Sequence, residues 1–348
     1  VADLDYLLEN VAIATVADVM DLTEENRILV KQGLEMLTRT SNLGLRALIQ
    51  CIGLEGKKIQ AYHIGFILAP CLNASGKLDT AKRALALLRA KTGREADMLA
   101  GDLKALNESR RDMTDRVVDE AMAKVEQTDI REDKVLVIYL PDCHESLAGL
   151  VAGRVRENYY RPVFVLTDSE DGVKGSGRSI ESYSMYEELT GCGDLLTKFG
   201  GHPMAAGLSI DKENVEKFKR RLNDQCTLSE EELTEKVVID MELPFTAITE
   251  QFIEELEYME PFGKGNTKPV FAARGVFMQH VKIIGKNKNV AKATAIDAAG
   301  NRMEAICFHD AQEFAKQCQR NNGKMSITFY PGINEFLGER QIQIVITH

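Results

Sequence analysis

The stretch KVLVIYLPDCHESLAGLVAGRVRENYYRPVFVLT, residues 134–167, decides the fold. It opens on "KVLVIYL", a continuous apolar run of strand length, and closes on "RPVFVLT", a second such run. Between them "HESLAGLVAGRVREN" spaces its apolar residues as a helix does. Strand, helix, strand predicts an α/β domain. A later helix, "ENVEKFKRRLNDQ", carries that domain over 134–226.

Outward from there the pattern changes twice. Residues 1–92 read as helical: in "ENRILVKQGLEMLTRT", Ile28, Leu29, Leu34 and Leu37 share a helical spacing. Within 93–133, Leu99, Leu103, Leu106, Met113, Val117 and Ala121 recur at steps of three, four and seven, and no proline falls between 95 and 127. That predicts one long amphipathic connecting helix. After the acidic linker "TLSEEELTE", strand patterns dominate 237–348, with helical inserts at "TEQFIEELEYM" and "DAQEFAKQCQRN". Five strands and a helix in that length predict a small closed barrel of the oligonucleotide-binding (OB) type, a sandwich being the alternative. The expected class is therefore α/β and multidomain.

At 348 residues the chain exceeds what one core usually holds. With 44% hydrophobic and 28% charged residues it has the composition of a soluble globular protein, and no apolar run approaches a membrane span. The seven cysteines are scattered without a CxxC pair, which fits reduced thiols and a cytoplasmic location. The chain begins at Val1 and reads as folded protein from residue 4, so a preceding N-terminal part is expected. The net charge of −10 is uneven. Residues 263–348 hold 12 Lys and Arg against 6 Asp and Glu, whereas the rest holds 31 against 47. A basic C-terminal module on an acidic body is compatible with a polyanionic ligand at one end, and equally with solvated lysines.

Four short stretches carry candidate chemistry, and a fifth does not. In "FGGHPMAAG", Phe199–Gly207, Gly200 and Gly201 let a ligand approach the backbone, and His202 adds a hydrogen bond or a proton; a tight loop with a structural histidine is the bland reading. In "KGSGRSI", Lys174, Ser176 and Arg178 surround two glycines, which suits phosphate oxygens, the alternative being a solvated turn. "ATVADVMDL" places Asp18 among small apolar residues, as an N-cap or a metal ligand. "APCLNASGKL" reads as a polar turn before a helix starting near Leu78, with Lys77 at that start poised for an anion. "EPFGKGNTKPVF" reads as a turn.

In this order, "ATVADVMDLTEENRILVKQGL", "NASGKL", "GLVAGRVRENYYRPVFVL", "KGSGRSI", "FGGHPMAAGLS" and "EPFGKGNTKPVF" resemble the RecJ family of single-stranded-DNA-specific exonucleases, within the DHH phosphoesterase superfamily. The resemblance implies the end of a DHH catalytic domain over 1–92, a connector helix, a DHHA1 substrate-binding domain over 134–226 and an OB-fold over 237–348. It also implies metal-dependent hydrolysis of single strands from the 5′ end, in DNA repair and recombination. The family's DxDxDG and DHH motifs do not occur here. The chain is therefore expected to be the C-terminal part of such an enzyme, poorly active alone.

By that resemblance Asp18 is the last metal-ligating aspartate of a site for Mn²⁺ or Mg²⁺, which this chain alone is not expected to retain. Ser176 and Arg178 bind a terminal 5′-phosphate, with Lys77 reaching across. His202, with Gly200 and Gly201, lines the cleft at the scissile or adjacent phosphate. Arg154 and Arg161 are weaker candidates, and Arg154 equally suits an internal ion pair. In the barrel, Lys282, Lys286, Lys288 and Lys292 form a basic stripe, and one or two of Phe271, Phe277, Phe308, Phe329, Tyr330 and Phe336 face DNA. Single-stranded DNA is the expected partner, with a single-strand-binding protein and a helicase beside it, and the chain is expected to be monomeric. Two other classes compete: a non-catalytic single-strand-binding or replication scaffold protein, and a phosphodiesterase of short oligonucleotides or cyclic dinucleotides, against which the barrel argues.

Overall fold

The computed structural model describes residues 7–78, 81–285, 288–308, 310–336 and 338–348. Its first part is helical. Helices α1 (Leu8–Ala17) and α2 (Glu24–Thr38) approach closely at Gly33, where an added Cβ would lie 2.5 Å from the Ala12 Cβ. Then come α3 (Leu43–Cys51), whose N-cap Asn42 accepts from the Leu45 amide at 3.0 Å, and the single turn α4 (Ala61–His63). A π-helical turn, Ile64–Leu68, leads into α5 (Ala69–Leu78). Pro70 has no N–H and its ring crowds the carbonyl four residues back, a reason for the wider turn before it. "NASGKL" thus ends a helix instead of preceding one, which corrects the reading of Lys77 as standing at a helix start.

After α6 (Lys82–Leu88), the long connecting helix is α7 (Gly93–Gln127), 35 residues or about 52 Å. Thr92 caps it by accepting from Glu95 N at 3.2 Å. Its buried stripe is Ala96, Ala100, Leu103, Asn107, Arg110, Thr114, Ala121 and Val125. Three of its members are polar and lie outside the apolar spacing read from the sequence. They satisfy one another: Arg110 Nη2 donates to Asn107 Oδ1 at 2.8 Å, and Thr114 Oγ1 donates to the Arg110 carbonyl at 2.8 Å.

The α/β part follows. Strands β1 (Leu136–Tyr139), β2 (Val163–Ser169), β3 (Gly172–Arg178), β4 (Leu196–His202) and β5 (Ala205–Ile210) form one sheet in the order β1-β2-β3-β5-β4. Only β1 and β2 are parallel, joined through α8 (Glu145–Tyr159). "KGSGR", expected as a loop, is strand β3, paired on both sides. On one face α8 and the end of α7 cover β1 and β2, burying Leu136, Ile138, Val163 and Val165. On the other, α9 (Met185–Gly191) and α10 (Val215–Gln225) bury Phe164, Leu166, Leu208 and Ile210 with Met185, Phe218 and Leu222.

The remaining strands are β6 (Met241–Glu242), β7 (Phe271–Ile284), β8 (Val290–Ile296), β9 (Arg302–Cys307), β10 (Lys324–Phe336) and β11 (Glu339–Ile346). They pair in the order β10-β11-β9-β8-β7-β6, and β10 also pairs with β7, so five strands close into a ring. Closure removes exposed sheet edges. Its interior holds Phe271, Val276, Met278, Phe329, Ile344 and the small Ala291, Ala293 and Ala295, packed with residues of α11 (Glu250–Glu257) and α12 (Ala311–Arg320). By compactness the chain divides into residues 1–39, 56–66 and 237–348, and residues 40–55 and 67–236. Within the first unit, "EPFGKGN" does structural work: the Leu22 amide donates to the Lys264 carbonyl at 2.6 Å, and Lys264 Nζ pairs with Asp21 at 2.9 Å. Among the described residues no helix is long and apolar enough to cross a membrane.

Candidate nucleic-acid interface

Strand register assembles the candidate residues of the α/β sheet. Across β3, β5 and β4 three rows line up: Arg178–Ala205–His202, Ser176–Gly207–Gly200 and Lys174–Ser209–Lys198. Alternate residues of a strand point the same way, so all three rows share one face. It is the face that α8 covers over β2 and β3 but leaves open over β4 and β5. The intervening rows, Gly177–Ala206–Gly201 and Gly175–Leu208–Phe199, turn toward the core.

This register corrects the reading of the glycines in "KGSGR". A Cβ on Gly175 would lie 2.4 Å from Leu166 Cδ2, and one on Gly177 2.7 Å from Phe164 Cε1. Their small size admits core side chains on the face opposite Lys174, Ser176 and Arg178. Gly201 behaves likewise: at φ +154° its Cβ would lie 2.4 Å from the Ala205 carbonyl oxygen. Gly200 differs, since a Cβ there would meet nothing within 4 Å.

A cavity of about 410 Å³ opens on this face. Lys174, Ser176, Lys198, Ser209 and Glu145 supply its polar lining, and Gly200 and Gly207 part of its floor. Lys174 is not the free cation the sequence suggests: its Nζ lies 3.1 and 3.0 Å from both oxygens of Glu145, in the first turn of α8. Lys198 and Ser209, which sequence reasoning missed, complete the Lys174 row. The available signal was alternation, Lys198 standing two residues before Gly200 and Ser209 two after Gly207.

Arg178 and His202 lie one row beyond the cavity lining. The Arg178 guanidinium is half-buried against α8, so that a Cβ on Gly149 would come within 2.8 Å of its Nη2. Its Nη1 donates to the Gly177 carbonyl at 2.8 Å, and among the described residues no carboxylate pairs with it. Burial and the neighbouring Arg156 guanidinium draw its pKa below the ordinary arginine value. His202 is exposed. Arg154 is exposed on α8 and forms no ion pair among the described residues, contrary to the internal-pair alternative. Arg161 is structural, donating to the Leu233 carbonyl at 2.7 Å. The Lys77 side chain and Lys286 lie outside the described residues.

Asp18 is exposed at the C-terminal end of α1, where its N–H donates to the Ala14 carbonyl at 2.9 Å. It starts no helix, which removes the N-cap alternative. Among the described residues no group of three or more His, Cys, Asp or Glu could hold a metal ion, so a divalent-metal site does not fit these residues alone. In the ring, Phe271 and Phe329 are core, whereas Phe277 and Phe308 are 40% and 59% exposed. Tyr330 lies under Lys268, whose Nζ is 3.9 Å from the ring centroid. The Phe336 side chain lies outside the described residues. Lys282 and Lys292 face each other across β7 and β8, Lys292 pairs with Glu304 at 2.6 Å, and Lys288 is exposed.

Residues 132–228 match the DHHA1 domain, and residues 239–348 match the RecJ OB domain. The chain corresponds to a RecJ C-terminal region. It is 34% identical to the single-stranded-DNA-specific exonuclease RecJ of Bacillus subtilis over 346 residues, covering 98% of this chain and 44% of that protein. It is 32% identical to the exonuclease of the same name from Salmonella typhimurium, covering 99% and 61%. The chain therefore spans about half the length of the curated relatives it matches. Thermus thermophilus RecJ crystallised with Mn²⁺ superposes with a TM-score of 0.82 at 26% identity, over 99% of this chain and 49% of that one. The open face of β3, β5 and β4 lies entirely within the DHHA1 match.

Proposed function

We propose that this chain is the strand-gripping part of a single-stranded-DNA-specific 5′-3′ exonuclease, a hydrolase of phosphodiester bonds. Its RecJ relatives bear that activity in their names. The observation that carries the reading is Arg178. A half-buried guanidinium beside a second one, with no carboxylate to balance it among the described residues, stands in one row with the exposed His202. A half-buried cation without a counter-ion is costly, and a phosphate seated there offsets the cost. Ser176, Arg178 and His202 would seat the 5′-terminal phosphate, which explains a start at a strand end. The ring would hold the strand further along, stacking bases on Phe277 and Phe308 beside Lys282 and Lys288.

In this reading the layout is the end of a catalytic domain over 1–92, the connector over 93–133, the gripping domain over 134–226 and the OB domain over 237–348. Divalent ions, Mg²⁺ or Mn²⁺, supply the hydrolytic chemistry in the whole protein, and Asp18 contributes one carboxylate. A single-strand-binding protein and a helicase are partners of that whole protein, and it works in the cytoplasm.

The test is equilibrium binding of 5′-phosphorylated and 5′-hydroxyl single strands to wild type and Arg178→Ala. Wild type should prefer the phosphate about tenfold, the value of one charged hydrogen bond, and the variant should lose that preference. Equal weakening toward both ends would reject the assignment.

A further inference from the structure

The open face extends beyond the Arg178 row. We infer that Lys198 and Ser209 form a second phosphate subsite, which takes an internucleotide phosphate of the strand whose 5′ end sits at Arg178. The inference rests on the gripping function proposed above and adds the direction in which the strand leaves its end.

Three observations carry it. First, the Lys174–Ser209–Lys198 row lies four residues along β3 from Arg178, about 13 Å at 3.3–3.4 Å per residue. That distance is too long for one phosphate to touch both rows. Second, the two lysines of that row are not equivalent. Lys174 is held by both oxygens of Glu145 at 3.0 and 3.1 Å, whereas Lys198 is exposed and pairs with no carboxylate among the described residues. The free positive charge of the cavity is therefore on the β4 side, next to the Ser209 hydroxyl on β5. Third, the row between the two cationic ends is nearly bare. Gly200 and Gly207 stand opposite each other, and a Cβ on Gly200 would meet nothing. The floor between Arg178 and Lys198 is thus backbone with Ser176 at its side, low enough for a sugar-phosphate chain to lie across it. The Glu145–Lys174 ion pair sets the lateral limit: its charges balance, so the α8 side offers phosphate no net attraction and the free Lys198 draws the strand toward β4 and β5.

The ligand class follows from the chemistry. A single ammonium and a hydroxyl on an exposed strand suit a singly charged diester oxygen, while the half-buried guanidinium end suits a terminal dianion.

The experiment uses 5′-phosphorylated single-stranded oligonucleotides in which one linkage at a time is a neutral methylphosphonate. Wild type should lose about three- to tenfold in affinity at one linkage, the second or third from the 5′ end, and little at the first. Lys198→Ala should bind wild-type strands weaker by that factor, with a salt slope shallower by about 0.7, and should no longer sense the methylphosphonate at that linkage. It should keep the preference for a 5′-phosphate, and Lys198→Arg should restore the linkage effect. If Lys198→Ala responds to the scan as wild type does, the subsite does not exist. If it loses the 5′-phosphate preference instead, Lys198 belongs to the terminal site and the inference fails while the gripping function stands. If Arg178→Ala keeps the preference while Lys198→Ala loses the linkage effect, the terminal assignment fails and the subsite stands. Unchanged thermal unfolding of Lys198→Ala excludes misfolding as the cause.

Discussion

Replacing Gly200 and Gly201 by alanine, one at a time, separates two uses of a missing side chain. The residues are adjacent in β4 but face opposite sides of the sheet. At Gly201 the new Cβ would lie 2.4 Å from the Ala205 carbonyl oxygen and 2.5 Å from Ala206 Cα, both backbone atoms that no rotamer change can move. Restoring an ordinary 3.4 Å contact would open the β4–β5 hairpin by about 1 Å. Overpacking of that kind costs about 1–3 kcal/mol, and a φ of +154° adds about 1–3 kcal/mol for any residue with a Cβ. Gly201→Ala is expected to destabilise by about 2–6 kcal/mol. At Gly200 the Cβ enters open space, and alanine gains about 0.5–1 kcal/mol over glycine in a strand. Urea unfolding at unchanged slope measures both. Single-strand affinity should nonetheless fall in Gly200→Ala, because the methyl group rises from the floor between Arg178 and Lys198. A Gly200→Ala variant destabilised by more than about 1 kcal/mol would refute the geometry. A stable one with wild-type affinity would refute the floor as the path of the strand.

Two further outcomes test the ring and the thiols. Phe277→Ala and Phe308→Ala should each weaken single-strand binding, by about 1–3 kcal/mol per stacked base, and leave unfolding unchanged. Phe329→Ala, at a fully buried position, should instead cost about 3–5 kcal/mol of stability, and titrations in which neither exposed ring matters would remove the stacking role. Burial pushes the Cys143 and Cys192 thiols up to about 11. The folded chain then keeps protons that the unfolded chain sheds above about 8.5, so their contribution is complete below that pH and lost as pH climbs to about 11. Urea midpoints between pH 8 and 10 should fall more steeply in wild type than in a Cys143→Ala, Cys192→Ala variant, and equal slopes would contradict it.

The architecture was readable in the sequence because burial imposes periods. The strand–helix–strand of 134–167, the 35-residue helix and the run of late strands all appear as apolar spacing, and all are present. The buried stripe of α7 also holds Asn107, Arg110 and Thr114, which the apolar spacing did not include, because buried polar residues that satisfy one another leave no apolar signal. The candidate site was half readable for a sharper reason. Composition says that a stretch is small and cationic but not which way it faces. "KGSGR" alternates, and once it is a strand, its glycines must all face one side and its lysine, serine and arginine the other. The glycines that look like ligand clearance are then core positions, pressed on Leu166 and Phe164. The clearance comes from Gly200 and Gly207, brought beside Ser176 only by the pairing of β3, β5 and β4. Lys198 and Ser209 were passed over for the same reason, although alternation from Gly200 and Gly207 places each on the same side of its strand. Each is unremarkable in its own strand, and only the cross-strand row that joins them to Lys174 makes them neighbours, while Glu145, from a helix, decides which lysine of that row stays free.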